Sequence, residues 1–210
     1  PNLTTITGGV TTQNSSYYFD LIGRTGATLN LPSLTTITVP AETASIGSSG
    51  VRLYGIDSGL LDAPELVEFR DLTPLSSSYL LAYSSGTLRV PKLVAPYGVQ
   101  LDMSASNFDF GQFASLERTW FIRLLGGQSN VNIANVDYLR QITVRNDGTR
   151  LTFPNVTSYT QANNTNVEWR AGESNRTNIG CELNFPNLTT ITGGVTTQNS
   201  NYYFDLIGRT

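Results

Sequence analysis

The densest group of potential acid–base side chains is Asp62, Glu65, Glu68 and Asp71, with Arg70 and Arg89 close by in the chain. Paired carboxylates can divide the roles of general acid and general base when their surroundings separate their pKa values. Here the acids are interleaved with arginine and read as an exposed, charge-balanced surface. The rest of the chain offers catalysis little. It has no His, which removes the commonest general base and the commonest metal ligand. Its one Cys, Cys181, can build neither an internal disulfide nor a thiolate zinc site, and reads as a small buried hydrophobe. Asp102 and Asp109 could suggest a cation site, but no Asp-rich loop signature surrounds them. The expectation is a non-enzyme with no cofactor and no metal.

A covalent chemistry is written more often. Asn-x-Ser/Thr, the acceptor pattern for N-linked glycans, occurs at Asn2, Asn14, Asn155, Asn163, Asn175 and Asn187. Six acceptors fit a secreted eukaryotic glycoprotein. The net charge of −3, with Lys92 the only lysine, gives no basic face for nucleic acid. No apolar run approaches the roughly 18 residues of a membrane-spanning helix. The chain starts at Pro1 with no charged or apolar leader, so any targeting signal is expected outside it.

The elements that would position these residues announce themselves by repetition. PNLTTITGGVTTQNSSYYFDLIGRT opens the chain, and the same words close it from Pro186, with Asn201 in place of Ser16. The expectation is a window on a tandem array: residues 1–185 form one period and 186–210 begin the next. A shorter phrase recurs inside the period, as LNLPSLTTI from Leu29, LDAPELVEF from Leu61, LRVPKLVAP from Leu88, LTFPNVTSY from Leu151 and LNFPNLTTI from Leu183. QFASLERTW from Gln112 and NIANVDYLR from Asn132 are degenerate versions. With Ala114 and Ala134 standing in for Pro, the anchors fall at 1, 32, 64, 91, 114, 134, 154 and 186, in steps of 20 to 32 residues. One period is therefore seven coils.

The L-x-F/L spacing before each anchor has period two, so both side chains face one side of a strand. Pro ends that strand, because it has no N–H for the ladder and its fixed φ suits a corner. The following L-x-x-I turns the chain inward again. Each coil carries a second apolar patch: YYFDLIG at 17–23, VRLYGI at 51–56, YLLAY at 79–83, WFIRLLG at 120–126, RQITVRN at 140–146 and NVEWRAG at 166–172. These patches, rich in Tyr, Trp, Phe, Val and Ile, read as further strands. One coil cannot bury its apolar edge alone, whereas stacked coils bury it against one another. The fold class expected is all-β, a right-handed parallel β-solenoid. Alignment on the anchors sets Glu65 beside Lys92 and Asp62 beside Arg89, two candidate inter-coil ion pairs.

The phrase L-x-F/L-P-x-L-x-x-I, followed by G-G and an Asn-rich turn, resembles the leucine-rich-like repeats of receptor L domains and of fungal GPI-anchored cell-wall glycoproteins. The likeness runs through all seven anchors but carries little information per coil. It implies a right-handed β-solenoid on an extracellular surface, often glycosylated, whose exposed sheet can be a ligand face. The chain lacks the Cys-rich capping modules of the receptor relatives, and its coils vary in length.

Two functions remain open from the sequence. One is structural: a repeat of a secreted or cell-surface filament whose partners are further copies of itself, in the same chain or end to end. The alternative is an adhesin or receptor-like module that recognises a glycan or a protein, with Tyr17, Tyr18, Tyr54, Tyr83, Tyr97 and Trp169 as candidate exposed aromatics. Thr5/Thr7, Thr36/Thr38 and Thr190/Thr192 match the triplets of ice-binding surfaces only in part, since the equivalent positions in the next coils are Glu68/Arg70, Ala95/Tyr97 and Arg118/Trp120.

Overall fold

The computed structural model describes residues 2–9, 16–41, 49–74, 76–104, 108, 110–125, 131–136, 138–145, 148–172, 181–195 and 202–208. Among them the regular structure is parallel β, with one short 3-10 turn at Phe110–Gln112 and no α-helix.

The turn at each proline anchor follows from proline chemistry. Leu34, Leu66, Leu93 and Leu188 each donate their N–H to the carbonyl three residues back, on Leu31, Ala63, Val90 and Phe185, at 3.0 to 3.2 Å. Pro32, Pro64, Pro91 and Pro186 thus occupy the second position of a β-turn, where a fixed φ is pre-organised. A short strand ends just before the turn, as at Thr28–Asn30, Leu60–Asp62 and Thr87–Arg89, which pair in parallel. Another strand begins soon after most anchors. Thr5–Thr7, Thr36–Val39 and Glu68–Asp71 pair in parallel with Ile6, Ile37 and Phe69 in line. Tyr97 extends that row by bridging Arg70 and Glu117.

The largest sheet has eight parallel strands, one after each of the eight anchors. In order they are Tyr17–Arg24, Ser49–Ile56, Ser78–Tyr83, Val99–Met103, Phe121–Leu124, Gln141–Val144, Val167–Ala171 and Phe204–Gly208. Sequence order and spatial order coincide, so the chain returns to the same sheet once per anchor. The apolar patches predict four of the first seven strands at nearly these bounds, and Phe121–Leu124 and Gln141–Val144 are each shorter than their patches, WFIRLLG and RQITVRN. Val99–Met103 falls in none of the patches. Its sequence alternates like that of its neighbours, but it follows Pro91 after a short connection and carries Gln100 and Asp102 between its apolar residues.

One register line runs through this sheet: Leu21, Leu53, Leu80, Leu101, Ile122, Ile142, Trp169 and Leu206. All but Leu206 are buried. They face a single core that also takes Leu34, Leu61, Leu66, Leu88, Leu93, Leu116, Leu151 and Phe153 from the anchor phrases. Each such side chain contributes roughly 1.5–3 kcal/mol of hydrophobic transfer, which is why the anchor columns are apolar.

Corners between the long strands and the anchor strands use left-handed backbone. Thr25–Gly26, Asp57–Ser58 and Ser84–Ser85 have positive φ at the same place in three successive passes. Ala27, Gly59 and Gly86 close these turns by donating to Arg24, Ile56 and Tyr83. Two consecutive left-handed residues are the signature of a type I′ turn, hence the small and polar residues there.

Candidate functional site: two sheet edges of one sequence

The acidic cluster is dispersed by the fold. Asp62 receives two bonds from Arg89 on the neighbouring strand, at 2.7 and 2.6 Å, and Lys92 Nζ lies 2.5 Å from Glu65. In Glu68–Asp71 side chains alternate, so Glu68 and Arg70 face outward while Asp71 turns inward. Arg70 lies over the Tyr97 ring at 4.8 Å. Asp71 is fully buried and accepts from Thr73 N at 2.9 Å, Thr73 Oγ1 at 2.6 Å and Ser78 N at 2.8 Å. Burial raises its pKa, opposed by those hydrogen bonds. Asp62 and Glu65 thus tie neighbouring strands and Asp71 holds a turn, while Glu68 faces outward. Asp102 is held by Arg123, and Asp109 lies outside the described residues. Among the described residues no three His, Cys, Asp or Glu side chains gather closely enough to hold a metal ion. Cys181 is half-buried against the core.

Further cross-strand charge pairs lie along the stack, including Arg52 with Asp20 and Arg150 with Glu182. The Arg52–Asp20 and Arg123–Asp102 pairs are not legible from the anchors, because the long strands follow them at unequal distances and the anchor alignment does not reach that far. Arg52 also stacks over Tyr18 at 4.0 Å. Of the glycan acceptors, Asn2, Asn155, Asn163 and Asn187 are exposed. Asn187 Nδ2 donates to the Pro154 carbonyl at 2.7 Å, and Asn163 Oδ1 accepts from Val195 N at 2.9 Å. Asn14 and Asn175 lie outside the described residues.

The features that stand apart are the two edges of the eight-stranded sheet. Tyr17–Arg24 forms one edge and Phe204–Gly208 the other, and both are cut from the repeated YYFDLIGR. Among the described residues, the first copy is covered by the pass that follows it. Ile6 and Leu21 are buried there, and Asp20 holds Arg52 through two bonds of 2.8 Å. A Cβ on Gly23 would sit 2.1 Å from the Leu60 carbonyl oxygen. On the opposite side Tyr17 and Phe19 are more than half exposed.

Among the described residues, the last copy is covered by the pass that precedes it. Phe204 packs on Trp169 and Tyr159, with ring centroids 5.1 and 5.6 Å apart. Trp169 stacks on Phe185 at 4.5 Å, and Tyr159 donates its hydroxyl to the Leu139 carbonyl at 2.6 Å. Burial pushes the Tyr159 phenol up to about 12. Gln161 is buried and clamps this copy by donating to the Tyr203 carbonyl at 3.0 Å and accepting from Gly194 N at 3.3 Å. Leu206, on the same face as its register partner Trp169, is 62% exposed at this edge, and Asp205 has no ion-pair partner among the described residues. An apolar cleft of about 290 Å³ opens here between Trp169, Leu183, Phe185, Leu188 and Leu206. Trp169, expected among the exposed aromatics, is buried: it takes an inward position in a strand whose alternation the sequence shows, while its place beneath the closing copy is a tertiary fact.

Comparison with family models, with curated proteins and with solved structures returned no match.

Proposed function

We propose that the chain is a little more than one period of a repetitive structural protein. In this reading it is a right-handed parallel β-solenoid of leucine-rich-like coils, secreted and N-glycosylated, and built into a fibre or filament at a cell surface. The observation that carries it is the position of the repeated segment. Strands Tyr17–Arg24 and Phe204–Gly208, cut from identical YYFDLIGR segments, occupy the two opposite edges of one parallel sheet, each with a neighbouring strand on the side where the other has none among the described residues. Seven strand steps separate them, about 34 Å at the usual spacing of parallel strands. A continuing array would give this segment both sets of neighbours at once. The exposed acceptors Asn2, Asn155, Asn163 and Asn187 support an extracellular setting.

Electron microscopy of the native material together with its denatured mass tests the reading. Long fibres with a chain mass of many periods are expected; short uniform particles with a mass near one period would overturn it.

One observation favours the alternative, a glycan-binding module. Trp120, Arg140, Gln141, Asn166, Glu168 and Tyr203 line a polar cleft of about 210 Å³, in which Arg140 Nε is buried without an acceptor. Aromatic faces beside amide and charged groups suit a saccharide. That reading predicts saturable saccharide binding which Trp120→Ala abolishes without loss of the fold.

A further inference from the structure

We propose that the cleft beside Trp120 is a binding site for a sugar that carries a carboxylate, with Arg140 as the residue that holds its charge. The proposal rests on the glycan-binding reading of this cleft and adds the chemical class of the ligand.

Trp120, Arg140 and Asn166 immediately precede three consecutive strands of the large sheet, Phe121–Leu124, Gln141–Val144 and Val167–Ala171, and Gln141 and Glu168 belong to them. Each of these strands is paired on both sides, so every lining residue except Tyr203 sits in the interior of the stack. Gln141 and Glu168 are register partners and point to one face. Arg140 N donates to the Trp120 carbonyl at 3.0 Å, and the Trp120 indole N–H donates to the Ser76 carbonyl at 3.2 Å. Hydrogen bonds within the protein thus fix the wall that Trp120 forms.

The state of Arg140 points to an anion. Arg52, Arg89, Arg123, Arg150 and Arg170 each reach a carboxylate. Arg140 reaches none among the described residues; its Nε is buried without an acceptor, and its guanidinium lies 5.8 Å from the centre of the Trp120 ring. A ring face offsets only part of what a guanidinium loses on leaving water, and a carboxylate matches its planar fork. Glu168, the acid that lines the cleft, is already held by Arg170 at 2.9 Å.

The other lining groups select a sugar. Asn166 Oδ1 accepts from Tyr203 N at 3.4 Å, which leaves Nδ2 to donate to a hydroxyl oxygen, as the Gln141 carboxamide also can. Glu168 can accept from hydroxyls and disfavours a phosphate dianion by like charge. The Trp120 ring offers an apolar face to the C–H groups of a sugar ring. The volume of about 210 Å³ suits a single sugar unit.

Calorimetric titration of the full chain with galacturonate, glucuronate and sialate oligosaccharides, each beside its uncharged methyl ester, tests this. At least one acid is expected to bind about tenfold or more tightly than its ester. Arg140→Gln should weaken that acid about tenfold and the ester less than about twofold, while Arg140→Lys keeps part of the preference. Because the guanidinium has no acid partner among the described residues, Arg140→Gln should leave the urea midpoint of unfolding no lower. A lowered midpoint would assign Arg140 to the fold and overturn the proposal. Equal binding of acid and ester, lost in Trp120→Ala, would overturn the acidic class and leave the glycan-binding reading standing. No binding of any of these sugars would overturn both.

Discussion

Leu21 and Leu206 stand at the same place in the same words of sequence, yet one is 9% exposed and the other 62%. The pair shows that burial here belongs to position in a stack and not to local sequence. The opening copy has its following neighbour and the closing copy its preceding one. Phe19 and Phe204 invert the pattern, because the closing copy alone has Trp169 and Tyr159 beside it. If the proposed array continues, the two copies together outline the complete surroundings of this segment within it.

The same substitution placed in each copy is the sharpest way to break that comparison. Gly23→Ala puts a Cβ 2.1 Å from the Leu60 carbonyl oxygen, whereas Gly208 has nothing within 4 Å. Denaturant unfolding should register a loss of about 4 kcal/mol or more for Gly23→Ala and under about 0.5 kcal/mol for Gly208→Ala. Equal effects would mean that the two edges are not complementary.

An interior pass, covered on both sides, sets the scale between these extremes. Asp71→Ala orphans Thr73 N, Thr73 Oγ1 and Ser78 N, and an expected loss of about 3 kcal/mol follows from leaving several buried donors unpaired. The pH dependence carries a sign. Burial raises the Asp71 pKa in the folded state, against its hydrogen bonds, so the folded chain binds this proton more tightly than the unfolded chain. The contribution to stability is complete below the ordinary carboxylate pKa and is lost as pH rises through the raised folded value. Asp71→Asn should therefore remove a falling component from the stability–pH curve in that window; a curve unchanged by the substitution would contradict the assignment.

Leu21→Ala is expected to cost about 2–3 kcal/mol and Leu206→Ala under about 0.5 kcal/mol, with the order reversed, and smaller, for Phe19→Ala against Phe204→Ala. Thermal or urea unfolding of the four variants checks the crossing. Smallest is the surface pair: Asp20→Asn should lose under about 1 kcal/mol and Asp205→Asn nothing measurable.

Much of this architecture is legible in the residues. Leu61, Ala63, Leu66 and Phe69 are written at fixed offsets around Pro64, and they are buried together because the turn at that proline fixes how the chain leaves one strand and enters the next. Offsets that vary are harder to read. Val99–Met103 follows Pro91 closely, whereas Ser49–Ile56 lies far beyond Pro32, so no common alignment links Leu53 to Leu101 before the sheet is seen. Buried polar groups are also invisible in the pattern. Gln100 looks like an exposed residue, but it is fully buried, and its carboxamide accepts from Trp120 N and Phe121 N at 2.9 Å and donates to the Ser76 carbonyl at 2.6 Å. The repeated ends are plain in the sequence; that they form opposite edges of one sheet depends on pairings across the whole stack.

The most direct test is a two-period chain, residues 1–185 joined to 1–210, whose junction from Phe185 to Pro1 reproduces the Phe185–Pro186 join. Small-angle scattering or cryo-electron microscopy would compare its dimensions with those of the 210-residue chain. A continuous stack predicts an unchanged cross-section and a length greater by about 34 Å, one period of seven strand steps. Two separate bodies joined by a hinge, or growth in cross-section, would contradict it.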